Sequence, residues 1–188
     1  MTASRLGWAA FALFLASVPF ANWLIGHVGT TCVPRGPCLV PVAPGLLAPS
    51  GVLAVGFALV LRDAVQRCLG ARWGLVAIAA GTLLSALVAP PALVLASGAA
   101  FLLSELADFA VYTPLQRRGP VGPKAGPTLL LAVLASSAVG LVVDSVVFLG
   151  LAFGSFDYLA GQIVGKAWAV LLALPLIRLL RRVAPTPA

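Results

Sequence analysis

The chain has 188 residues, 61% of them hydrophobic and 9% charged, with a mean hydropathy of +1.09. A soluble domain carries about 25% charge and would aggregate through apolar surface of this extent, so composition points to an integral membrane protein. The net charge of +7 does not argue for a nucleic-acid partner: Lys and Arg fall in the short gaps between apolar runs, with no aromatic-interleaved basic face.

A hydropathy window of about 19 residues yields six apolar segments, near 7–25, 50–66, 73–89, 92–112, 128–150 and 158–177. Each is close to the ~17–25 residues that a helix needs to span a bilayer. The reading is an all-α integral membrane protein, one domain of six transmembrane helices over residues 1–188. The first segment follows Arg5, as a signal peptide would, but Pro19-Phe20-Ala21 is a poor cleavage site and the segment is read as a span. The connection after it is rich in Pro and Gly and holds Cys32 and Cys38, either bridged or free.

The second segment is interrupted late by Arg62, Asp63 and Arg67. Asp63 and Arg67, four apart, share a helix face; Arg62 points about 100° away. The plain reading has these arginines snorkelling to headgroups, which accounts for Asp63 less well. Pro90-Pro91 separates segments three and four, since proline cannot continue a helix there. Glu105 and Asp108 in the fourth segment are three apart and repel unless a cation, a proton or a donor-rich ligand lies between them. Gly119-Pro120 and Gly122-Pro123 mark a loop.

Ser137, Gly140 and Asp144 follow one stripe of the fifth segment, with Phe148 on the same face. Asp144 stands mid-segment, where a charge costs about 2.5–3.5 kcal/mol on insertion scales, and should face the interior. Gln162 and Lys166 lie four apart in the sixth segment, and Lys166 is the natural partner of Asp144 or Glu105. Gly161, Gly165, Ala169 and Ala173 form a small-residue ridge that favours close helix packing.

Ionisable groups at membrane depth usually mark a solute or ion path. The candidate binding residues are therefore Asn22, Asp63, Glu105, Asp108, Asp144, Phe148, Gln162 and Lys166. Phe109, Tyr112 and Trp168 are further candidates for an aromatic wall. No cofactor is expected: His27 and three cysteines make no zinc or haem set, and a P-loop is lacking. With no catalytic residues and no metal site expected, a membrane enzyme acting on lipids is a weaker reading than a transporter, and a purely structural role is weaker still given the charges at membrane depth. Lys and Arg cluster in the N-terminal tail, the second and fourth connections and the C-terminal end, which predicts both termini in the cytoplasm.

Ser104-Glu105-Leu106-Ala107-Asp108, Leu115-Gln116-Arg117-Arg118, Ala135-Ser136-Ser137, Asp144-Ser145-Val146-Val147-Phe148, Gly165-Lys166 and Pro175 together resemble the VUT family, as do Asn22-Trp23-Leu24 and Asp63 with Arg67. The resemblance implies an inner-membrane vitamin-uptake-like or queuosine-precursor transporter. Its fold would be similar to substrate-binding components of energy-coupling-factor transporters, and its solute a 7-deazaguanine such as preQ0 or preQ1. The expected partners are that small-molecule solute and the lipid bilayer. An ATPase coupling module and a homo-oligomer stay open, as does the alternative of a vitamin-binding subunit.

Overall fold

A computed structural model describes residues 3–33, 36–89, 91–118, 125–173 and 175. Six α-helices run through them: α1 (Ala3–His27), α2 (Val52–Leu69), α3 (Ala71–Val88), α4 (Val94–Arg118), α5 (Ala125–Phe153) and α6 (Leu159–Leu172). They coincide with the six apolar segments to within a turn or so at most ends. The basic residues Arg35, Lys124, Arg178, Arg181 and Arg182, on which part of the orientation reading rests, lie outside the described residues.

Polarity is inverted relative to a soluble protein. Leu95 is 84% exposed, whereas the Arg62 side chain is fully buried. Leu13, Leu83, Leu87, Leu131 and Leu151 also face outward, as expected where hydrocarbon is the solvent. Helices α1, α3, α4 and α5 are long and apolar enough to cross a membrane. The other two differ for distinct reasons. Helix α6 covers 14 residues. Helix α2 has 18 residues but carries Arg62, Asp63 and Arg67.

Packing explains how α2 tolerates that load. It touches all five other helices, and 13 of its 18 residues are buried, so its charges meet protein rather than lipid. Small residues permit this centrality. A Cβ on Gly56 would stand 2.6 Å from the Lys166 carbonyl oxygen of α6, and one on Gly165 would stand 2.6 Å from the Val52 side chain. The α2–α6 crossing thus uses part of the small-residue ridge for close backbone approach. Gly70, at φ +97°, turns the chain sharply from α2 into α3, a conformation that favours glycine.

The first connection departs from the all-α reading. It folds as a three-stranded antiparallel sheet, β1 (Thr31–Cys32), β2 (Cys38–Ala43) and β3 (Leu46–Pro49), in that order. Cys32 pairs with Cys38 across β1 and β2, and the two are joined by a disulfide. Leu39, Val40 and Val42 supply the β-forming side chains, and Gly45 at φ +73° makes the turn into β3. The sheet is fastened to the bundle. Ser50 Oγ donates to the Leu24 carbonyl at 2.6 Å, and Trp168 Nε1 donates to the Val42 carbonyl at 3.2 Å.

Candidate functional site

All six helices contribute to one cavity of about 620 Å³, counting its open mouth. Pro49 and Gly51 close it on the sheet side. Phe101, Phe148, Val52 and Ile25 make apolar walls, and the polar groups are Asn22, Asp144, Gln162 and Lys166, with serines 17, 85 and 97.

Two of those polar groups come from α6. Gln162 and Lys166, one turn apart, face α5. Lys166 Nζ donates to Asp144 Oδ2 at 2.6 Å, to Ser145 Oγ at 2.7 Å and to Gln162 Oε1. An ammonium has three N–H groups, so Lys166 is saturated. Gln162 spends its oxygen on Lys166, which leaves its NH₂ group to donate. Asn22 is held the other way: its Nδ2 donates to the Val18 carbonyl at 3.0 Å, so its oxygen remains to accept. These bonds fix the hydrogen-bonding sense of the wall before any solute arrives.

Asp63, Glu105 and Asp108 do not line this cavity. They gather around Arg62, one turn further along α2 and α4: Ala58 and Phe101 touch the cavity, and Arg62 and Glu105 each follow four residues later. Arg62 Nε donates to Glu105 Oε2 at 3.3 Å and Nη1 to Gln66 Oε1 at 2.9 Å. Nη2 donates to Asp108 Oδ1 and stands 2.9 Å from Asp63 Oδ1. Ser136 Oγ donates to Asp63 Oδ2 at 3.2 Å. The rings of Phe109 and Tyr112 lie 5.7 and 5.6 Å from the guanidinium carbon, a cation–π contact that partly replaces lost hydration.

Arg62 is thus corrected from an interfacial, snorkelling side chain to the buried centre of a carboxylate cluster. It starts on a different helix face from Asp63, but its long, flexible stem brings the guanidinium back. A sequence signal existed in the acids at membrane depth, which outnumber the bases there. Phe109 and Tyr112, candidates for an aromatic wall, serve Arg62 instead, and Trp168 reaches the sheet. Ser17, Ser85, Ser97 and Phe101 carried no distinguishing signal. Lys166 resolves the choice of partner in favour of Asp144; Glu105 pairs with Arg62.

Apolar side chains outside, paired charge inside and a polar-walled cavity shared by every helix define a multi-pass membrane protein with an internal cavity. Over residues 83–180 the sequence matches the family model described as "Putative vitamin uptake transporter", and the chain belongs to this family of membrane transporters. That stretch contains Glu105, Asp108, Asp144, Gln162 and Lys166, whereas Asn22, Arg62 and Asp63 precede it. No curated protein and no solved structure matches the chain.

Proposed function

We propose that this transporter imports a planar, purine-like solute, a queuosine precursor of the 7-deazaguanine type (preQ0 or preQ1), across the inner membrane, with both chain termini in the cytoplasm. The observation that supports this best is the combination of flat apolar walls with fixed hydrogen-bonding sense at Asn22, Asp144 and Gln162. A guanine-like edge offers adjacent N–H donors, which a carboxylate accepts as a fork. Asp144 is the carboxylate on the cavity wall and takes that role. The ring carbonyl needs a donor, which the Gln162 amide provides. Phe148 and Phe101 supply surface for the ring. Lys166 holds Asp144 and Gln162 in place, and the Arg62 cluster lies beyond the cavity floor on the solute's path.

The test is uptake of labelled preQ0 and preQ1 by cells unable to make or import either. Wild-type protein restores uptake, and Asp144→Asn and Gln162→Leu lose it while still reaching the membrane. A well-expressed wild type without uptake sinks the purine assignment.

The family description names vitamin uptake, and a second reading takes the solute from it: a vitamin-binding subunit that borrows an ATPase module. It predicts co-purification with a coupling membrane protein and ATPases. Full activity of the isolated chain in liposomes excludes it.

A further inference from the structure

The buried charges do not balance. Among the described residues, Asp63, Glu105, Asp108 and Asp144 are buried acids, whereas Arg62, Arg67 and Lys166 are the buried bases. Asp144 and Lys166 neutralise one another. The remaining three acids all meet Arg62, and even with Arg67 counted beside it one negative charge is left in excess at membrane depth, where uncompensated charge is expensive.

The excess is localised by geometry. Asp63 and Asp108 both converge on the same Arg62 nitrogen, Nη2. Asp63 spends Oδ1 on that contact and Oδ2 on Ser136, whereas Asp108 Oδ2 is a buried oxygen with no hydrogen-bond donor on a residue that has no exposed surface. Two carboxylates gathered on one nitrogen repel each other, whereas a carboxylic acid beside a carboxylate does not and can donate its O–H to it. A metal cation in the same place would meet the guanidinium that the carboxylates already surround.

We infer that Asp63 and Asp108 hold one proton between them in the solute-free protein, and that this proton crosses the membrane with the solute. The proton sits on one carboxyl oxygen and is hydrogen-bonded to the other. Loading takes it from water on one side and release returns it to water on the other, with no other bond made or broken. The charged groups facing the pair are Arg62 from α2 and Glu105 from α4. Arg67 of α2 lies within electrostatic reach of Tyr112, beside the cluster, and Asp144 of α5 within reach of Glu105. Arg62 and Glu105 stand one helical turn from the cavity-lining Ala58 and Phe101, and this short separation is the route by which solute binding can change the affinity for the proton.

The coupling rests on the transport reading above; the bound proton does not, so two measurements separate them. Infrared spectroscopy of the solute-free protein in liposomes at neutral pH should show the C=O stretch of a protonated carboxyl group, lost in both Asp108→Asn and Asp63→Asn. Absence of the band in wild type overturns the inference. In the same liposomes, wild type should accumulate uncharged preQ0 at least tenfold when the outside is acidic, and a protonophore should abolish this. Asp108→Asn should reach the membrane folded but accumulate none. Exchange by wild type without accumulation under a pH gradient overturns the coupling. A carboxyl band in a wild type that exchanges no preQ0 upholds the proton site and rejects the purine reading.

Discussion

Gly140 of α5 lies flat against Asp108 of α4. A Cβ built at Gly140 would be 3.1 Å from the Asp108 Cβ and 2.8 Å from Leu59 Cδ2. The missing side chain lets Asp108 reach Arg62. Gly140→Leu should therefore push Asp108 off the guanidinium and lower stability by about 1–3 kcal/mol, the usual range for overpacking. Gly140→Ala should cost less, since the Leu59 methyl can move. Thermal denaturation of the purified protein in detergent ranks the two.

Arg62→Met should be far more damaging. It leaves Asp63, Glu105 and Asp108 without the cation they share, and removing one partner of a buried ion pair typically costs about 3–5 kcal/mol. Arg62→Lys should recover only part of this, because an ammonium cannot reproduce the planar fork that meets Glu105, Gln66 and Asp108 together. The yield of folded protein by size-exclusion chromatography should fall in the order wild type, Arg62→Lys, Arg62→Met. Equal yields would refute a structural role for the cluster.

Lys166 and Asp144 should behave as one unit. Each single neutral variant, Lys166→Met or Asp144→Asn, strands a buried charge, whereas the double variant strands none. The double variant should melt above both singles, with a coupling of about 0.5–3 kcal/mol. Transport should nevertheless stay lost, because the wall then lacks both the carboxylate and the group that orients Gln162. Recovery of uptake together with stability would mean that the pair only holds helices together.

Gly161→Ala should loosen the sheet from the bundle. A Cβ there would clash with the Leu47 carbonyl oxygen of β3, so helix and strand must part. The Trp168–Val42 hydrogen bond lies at the same seam. Protease cleavage within residues 28–50 should be faster in the variant, and unchanged cleavage would show that the seam tolerates a methyl group.

The helices were legible because apolar length alone marks a segment that can cross a bilayer. Asp144 and Lys166 were legible for a related reason: a charge in mid-segment has to face inward and find its opposite. The sheet was not legible, since Pro41, Pro44 and Gly45 break up a short apolar run that is held by strand pairing, the Cys32–Cys38 disulfide and contacts with α1 and α6. Arg62 was not either. Helical spacing gives the direction of a Cβ, but a guanidinium on a long stem can end on another face. For the same reason the acids on α2 and α4 gather around Arg62, although spacing on each helix says only which of them share a stripe.

The partners of Arg62 on α4 lie 43 and 46 residues further along the chain. During synthesis α2 therefore leaves the ribosome two helices ahead of Glu105 and Asp108, the α4 carboxylates that meet its arginine. An isolated helix with Arg and Asp near its centre is penalised by about 2.5–3.5 kcal/mol for each charge on entering the bilayer. Assembly must then delay α2, holding it at the interface or beside the insertion machinery until α4 arrives. Ribosome-stalled chains ending before α4 should leave α2 accessible to aqueous thiol reagents at an introduced cysteine, and chains extending past α4 should protect it.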